Sequence, residues 1–406
     1  MTARAKPQRR SAVTTAAVLR IAARTMSRPA APFREGAVIA WVREFAARNP
    51  HLALRSDRSG NLELRRRGVR SSASPLVLGA HMDHPGFRAL RSKRLPGHRG
   101  FAIDALFLGG VRREYFPGAR ARFYVGDGDV PATTVAARVV RAAPDPKSGE
   151  LRVRLEARTA VPAGSWGVWE LPDFRRSRRD PDLLETRAAD DLAGVAAILA
   201  ALEVVDRIDP KQSVDVRGLF TRAEEVGFVG AIAAARSGRL PAGARIVAIE
   251  ASKALPHAPQ GAGPILRVGD RTSVFDDGLT RWLARVATQL AGPIRPAGSA
   301  AKGNRFAWQR RLMDGGTCES TAYQLYGYRS AALCVPLGNY HNMSERGRIE
   351  VESIRLSDLV GLVRYFEGMI QHDADCPRAG AADLLRARLE KRFARGARDL
   401  ARDPFS

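Results

Sequence analysis

The chain has 406 residues, 45% of them hydrophobic, and a formal net charge of +24. That length can bury one large core or two smaller ones. No apolar run approaches the roughly 18–20 uncharged residues of a bilayer-spanning helix, so no membrane span is expected. The charge invites a nucleic-acid or anionic-surface partner. It is carried almost entirely by Arg spread along the chain, beside abundant Ala and Gly, which points to a GC-rich coding bias instead. Cys318, Cys334 and Cys376 are an odd number without C-x-x-C spacing. That excludes a disulfide framework and fits a reducing, cytoplasmic location.

Residues 1–34 contain no acid and several arginines. Arg20 and Arg24 interrupt the apolar stretch that an export signal needs, so a disordered or helical basic arm is expected. Apolar residues at helical spacing over 35–48 predict an amphipathic helix. A polar turn at Asp57–Asn61, a short LELR strand and the buried strand SPLVLGA follow. From 88 to 184 short β-type runs (ARARFYVG, TTVAARVV, LRVRLEA) alternate with Gly, Pro and Asp turns, the pattern of an inserted small all-β, barrel-like domain. From 185 the texture becomes α/β. LAGVAAILAALEVV, EVGFVGAIAAARS, DGLTRWLARVATQLA and SDLVGLVRYFEGMI read as helices, and VDVRGLFTR, ARIVAIEAS and SAALCVPLG as strands. The expected fold class is therefore α/β: a mainly parallel sheet with helices on both faces over 35–87 and 185–376, interrupted by the 88–184 insert. Residues 377–406 read as a basic helical tail.

Polar residues recur where apolar strands end, the place where open α/β sheets build their sites. His81 and Asp83 follow SPLVLGA: an imidazole ligates zinc well and a nearby carboxylate can orient it. Asp190-Asp191 opens an apolar helix, where one carboxylate could bridge two cations or the pair could simply cap the helix. Glu224-Glu225 ends the next strand, and adjacent acids point apart, so one can ligate while the other carries protons. Glu250 ends ARIVAIE, where a buried acid needs a partner or a cation. His341 follows the last buried strand. Each signal alone is weak, and a structural histidine or a solvated acid pair explains any one of them. The ordered set of five points to a metal centre.

In that order, AHMDHPGF, RAADDLAG, TRAEEVGFVGA, IVAIEAS, DGGTCES and YHNMSE resemble the co-catalytic zinc aminopeptidases of the glutamyl and deblocking type, which form tetrahedral particles. The resemblance runs from about 35 to 368 and lies within a wider clan that includes deacylases. It implies two divalent cations per chain, zinc expected, with cobalt or manganese as alternatives. It implies that His81 and Glu250 hold one cation, Glu225 and His341 the other, and that Asp190 bridges them. Glu224 would be the general base and Asp83 would orient His81. It also implies a peptide substrate and a homo-oligomer. Three positions depart from the pattern: Glu250 stands where the family has Asp, His84 where H-M-D-E has Glu, and Cys318 where G-G-T-D has Asp, with Glu319 next. The expected activity is release of N-terminal residues from peptides. The alternatives are a deacylase or carboxypeptidase-like enzyme acting on an acylated amino acid, and a non-catalytic nucleic-acid binder. The last is disfavoured because every expected ligand and the base are present, and nothing resembles an aromatic-plus-basic recognition motif.

Overall fold

A computed structural model describes residues 11–97, 99–126, 128, 133–291, 306–377 and 391. Helices α1 (Thr15–Met26) and α2 (Gly36–Arg48) precede the hairpin β1 (Leu52–Ser56) and β2 (Leu62–Arg66), then β3 (Leu76–His81). Six strands form a separate unit: β4 (Gly86–Arg94), β5 (Phe101–Leu108), β6 (Arg120–Val125), β7 (Thr133–Pro144), β8 (Leu151–Ala157) and β9 (Trp166–Trp169). Strands β10 (Phe174–Arg176) and β11 (Leu183–Thr186) lead to α3 (Leu192–Glu203) and the single turn α4 (Val205–Ile208). There follow β12 (Val216–Thr221), α5 (Val229–Arg236), β13 (Arg245–Lys253), β14 (Ile265–Gly269), α6 (Asp277–Ala291) and β15 (Gln309–Leu312). The described elements close with α7 (Glu319–Leu325), β16 (Arg329–Leu337), β17 (Glu352–Arg355) and α8 (Leu356–Gln371).

The main sheet has the order β1-β2-β12-β3-β13-β16-β14-β15. Its four central strands, β12, β3, β13 and β16, are mutually parallel. They are buried on both faces, which is why their sequences read as nearly unbroken apolar runs. Helices α1, α2, α3, α6 and α8 share one core with Leu76, Leu78 and Ala80, and α5 and α7 share another with Val77, Leu219 and Ile246. The sheet as a whole is mixed rather than mainly parallel. The β1–β2 hairpin joins β12 antiparallel and β14 joins β16 antiparallel, additions at the edges that do not need a helical crossover.

Strands β4-β5-β8-β7-β6-β9 close into a barrel. Phe87, Phe107, Phe116, Phe123 and Trp169 fill it, with Phe87 and Trp169 edge-to-face at 4.8 Å. Alternate residues of β7 face in and out, the two-residue period that the sequence shows. The segment after the barrel returns to the host: β11 pairs with both β10 and β17. The barrel strands thus occupy 86–169, and 174–186 belong with β17.

The N-terminal stretch expected to be a basic arm is, from Ser11, part of the core. Val18, Ile21, Ala22 and Met26 of α1 are fully buried in the host core, and Ser11 Oγ and the Val13 amide donate to the Glu367 carboxylate. Arg20 and Arg24 are exposed, Arg20 pairing with Glu203. Composition showed the charge, while the apolar stripe at helical spacing is what packs. The basic tail expected beyond 377 lies outside the described residues, apart from Lys391. Within the described residues no helix is long and apolar enough to cross a membrane.

Two outcomes follow for stability. Ile21→Ala should cost about 2–5 kcal/mol in urea unfolding, as for a core aliphatic, whereas an unpacked arm would tolerate it. Burial pushes the Asp215 carboxyl up, but Arg217, the Ser72 amide and Arg65 outweigh it and hold it below the ordinary value. A depressed carboxylate stabilises the fold above its unfolded pKa, about 3.9, and that contribution is lost as pH falls through the folded value. Asp215→Asn should therefore weaken the fold at neutral pH and converge on the parent below about pH 4. Denaturant titrations across that range giving a pH-independent gap would contradict this.

Candidate metal centre

All five chain segments singled out by the sequence reach the same edge of the sheet, beyond the carboxyl ends of its parallel strands. His81 is the last residue of β3, Glu224 and Glu225 follow β12, Glu250 lies late in β13, and His341 follows β16. Asp190 and Asp191 precede α3, and their connecting peptide is cis. The two acids divide the roles that the sequence left open. Asp191 caps α3, accepting the Gly194 amide at 3.1 Å, while Asp190 turns into the site. A Cβ at residue 194 would stand 2.4 Å from the Asp191 carboxylate, so any larger residue there would displace the cap.

Asp190 sits between the two histidines. Its Oδ1 is 3.4 Å from His81 Nε2 and its Oδ2 is 3.5 Å from His341 Nε2. Glu250 approaches His81 Nε2 at 3.9 Å, and Glu225 approaches His341 Nε2 at 3.2 Å. Glu224 lies 3.9 Å from His81 Nε2 on the remaining side. Two groups result, His81/Asp190/Glu250 and Asp190/Glu225/His341, each with its donor atoms within 4.8 Å of one another and both sharing Asp190. His81, Glu224 and Glu225 form a third group whose donor atoms likewise lie within 4.8 Å of one another.

The backbone around these side chains is held by buried carboxylates. Asp83 accepts the amides of Glu224 (2.9 Å) and Glu225 (3.1 Å), one on each oxygen, and its carbonyl lies 3.1 Å from His81 Nδ1. Glu35, fully buried just before α2, accepts the Ala223 amide at 3.0 Å and Arg222 Nε at 2.7 Å. Glu352, in β17, accepts the amides of Ala189 and Asp190 on one oxygen and of His341 on the other. His341 Nδ1 lies 2.8 Å from the Gly110 carbonyl in the loop after β5, which as an acceptor presets Nδ1–H and leaves Nε2 free as a donor to a cation. Ala223, His341 and Asn342 all have left-handed φ (52°, 53° and 64°), a strained conformation that these contacts hold in place.

The electrostatics call for positive charge. Burial pushes the Glu224 carboxyl well up, and Glu250, Glu225 and Asp83 add to this against the opposing His81. Glu250 is pushed up to about 8, by burial and by Asp190. Burial disfavours charge on His81 and His341, but Glu224, Glu225, Asp190 and Asp83 outweigh it and hold both imidazoles well above the ordinary range. Asp190 Oδ1, Glu225 Oε1 and Glu250 Oε1 are buried without any hydrogen-bond partner. Buried oxygens that make no hydrogen bond are costly, and a divalent cation would satisfy them. Imidazole and carboxylate donors suit zinc, and also cobalt or manganese.

The three departures from the family pattern have distinct places. Glu250 reaches the site. Cys318 is buried, its amide bound to Asp270, and burial pushes its thiol pKa up. Glu319 is buried, accepts the Thr221 hydroxyl at 2.5 Å, and is pushed up to about 7 by burial. His84 links Asp190 to Asn342. Sequence reasoning missed Glu35, Glu352, Asn342 and Gly110, whose contacts are between segments distant in the chain.

The buried imidazole–carboxylate cluster suits a metal-dependent hydrolase, and the family match makes it one of peptide bonds, acting as an aminopeptidase. The chain belongs to the M42 glutamyl aminopeptidase family, whose sequence profile matches residues 60–355. No curated protein matches it in sequence. The fold is shared with an aminopeptidase from the archaeon Desulfurococcus kamchatkensis (TM-score 0.69, 20% identity, covering 88% of this chain and 95% of that one). It is shared with the TET1 peptidase of Pyrococcus horikoshii, which can assemble into a tetrahedron or a large octahedral shell (0.65, 20%, 87% and 99%). An M18-family aminopeptidase from Thermotoga maritima is similar at 0.63 and 13% identity, covering 90% of this chain and 100% of that one.

Asp83→Asn would turn an amide NH2 group toward one of two N–H donors. It should reduce kcat/KM by about 10–100-fold, as for other residues that orient ligands. A variant within twofold of the parent in peptide hydrolysis would remove Asp83 from that role.

Proposed function

We propose that the chain is a dinuclear zinc aminopeptidase in which His81 and Glu250 hold one cation, Glu225 and His341 the other, and Asp190 bridges them. The observation that carries this reading is the placement of Asp190, whose two oxygens face different imidazoles, His341 with Glu225 beside it and His81 with Glu250 and Glu224 beside it. Five protein donors, of which only Asp190 is shared, leave positions for water and substrate, as a catalytic rather than a structural zinc site requires. When bound, such a cation pair lowers the pKa of water and polarises a scissile carbonyl.

The protein's own part is proton transfer and orientation. Glu224 takes the proton of the attacking water on a carboxylate oxygen and delivers it to the departing amine nitrogen. Its burial among Glu250, Glu225 and Asp83 raises its proton affinity above that of a free carboxylate, which favours taking up the water's proton before it passes to the amine. Asp83, bound to both the Glu224 and Glu225 amides, keeps the base and the neighbouring ligand pointing apart. The substrate in this reading is a peptide with a free N-terminus. The enzyme is proposed to act as a homo-oligomer, a reading supported by the shell-forming Pyrococcus horikoshii relative. Its three cysteines are unpaired, two of them buried, which fits the reducing, cytoplasmic setting expected from the sequence.

Glu224→Gln should retain zinc while turnover falls by about 10²–10⁴-fold; full activity in that variant would remove it as the base. Asp190→Ala should lose both cations as well as activity, and two metals per chain in that variant would refute the bridge. On paired free and N-acetylated peptides, chelator-sensitive release of residues from the free forms alone is expected. Turnover of the acetylated forms alone would move the enzyme to the deacylase branch.

A further inference from the structure

The ligands come from segments with no covalent reason to keep a common spacing. Asp190 lies between β11 and α3, and His341 lies about 150 residues later, beyond β16. A carboxylate shared between two cations works only if the separation of these segments is set to within a fraction of an ångström. Two buried side chains span that gap directly.

The first is Glu352. Its Oε2 accepts the amides of Ala189 (2.6 Å) and Asp190 (3.1 Å), and its Oε1 accepts the amide of His341 (2.9 Å). One carboxylate therefore binds the main chain of both ligand segments. It is itself fixed, because β17 pairs with β11 in a register that sets Glu352 opposite Thr186. The second is His84. Its Nδ1 lies 2.7 Å from the Asp190 carbonyl and its Nε2 lies 3.0 Å from Asn342 Oδ1. Asn342 is oriented in turn, since its Nδ2 donates to the carbonyls of Arg187 and Glu350. His341 and Asn342 both have left-handed backbone, so their positions depend on these side-chain contacts and not on a regular element.

We propose that Glu352 and His84, acting with Asn342, form a brace that sets the separation of Asp190 and His341, and that both are positioning residues for the metal centre. This rests on the dinuclear reading above. Neither side chain is needed as a ligand. Each acts through the main chain that carries one, in the way that outer hydrogen-bond partners tune metal affinity. The brace also gives a use to His84, one of the positions where the chain departs from the family pattern.

The test is zinc binding to the full-length protein after chelator stripping, measured by competition with a chromophoric chelator. It uses the parent, Glu352→Gln, His84→Gln and the double variant. Asp358→Asn is the control, because Asp358 is likewise a buried carboxylate accepting two backbone amides, from Gly261 and Gly263, away from the centre. Each single brace variant should bind zinc about 10–100-fold more weakly, and the double variant should lose less than the product of the two because both act on one separation. Asp358→Asn should lower the thermal midpoint and leave zinc affinity at the parent value. His84→Gln decides the matter if Glu352→Gln does not fold. Parent protein that takes up no zinc would overturn the dinuclear reading and this proposal with it. Parent protein that binds two zinc ions, with folded brace variants binding equally well, would overturn the brace alone. So would an affinity loss in Asp358→Asn as large as in the brace variants.

Discussion

The structure depends on holding mutually repelling carboxylates together away from water. Asp190, Glu224, Glu225 and Glu250 converge on two imidazoles at one buried edge of the sheet, and three of these acids keep an oxygen with no hydrogen-bond partner. Such a cluster would spread apart or neutralise itself by taking up protons unless its charge were compensated and its backbone restrained. Bound cations would supply the first condition. The second is met by a further set of carboxylates that bind main-chain N–H groups: Glu35 at Ala223, Asp83 at Glu224 and Glu225, and Glu352 at Ala189, Asp190 and His341. Acids thus play two opposite parts within one site, presenting lone pairs to the centre or fixing the loops that present them.

Those restraints come from all over the chain, which explains the architecture around the sheet. The N-terminal segment supplies Glu35, so its packing through α1 and α2 is coupled to the strand end that carries the proposed base. The barrel supplies the Gly110 carbonyl that faces His341 Nδ1, so the insert is in contact with the centre as well as with itself. The loop from Arg222 to Gly230 closes on itself through the Gly230 amide and the Arg222 carbonyl. A Cβ at residue 230 would stand 2.4 Å from that backbone, so glycine is required there.

Much of this was legible in the sequence. The barrel strands announced themselves by two-residue alternation and turn residues, and the central strands by unbroken apolar runs ending in His or an acid. Less legible were features whose signal is shared with something commoner. A basic N-terminal composition masked the apolar stripe of α1, and antiparallel edge strands look in sequence like parallel ones. Asp190-Asp191 carried both a cap and a site residue, and only the folded turn separates them.

What the sequence determined by itself was chemistry and order: which residue types end which buried strands, and hence that a cluster of imidazoles and carboxylates forms at the carboxyl edge of an α/β sheet. Burial of apolar runs is a local property and can be read one segment at a time. The resemblance implied Asp190 between the two histidines; the tertiary structure alone decided which further acids, Glu35 and Glu352, bind the amides that hold the centre. Glu352 in a short strand and His84 after another have no local feature that marks them. Their role exists only because β17 pairs with β11 and the chain after β16 returns to Asp190, contacts between residues more than a hundred positions apart.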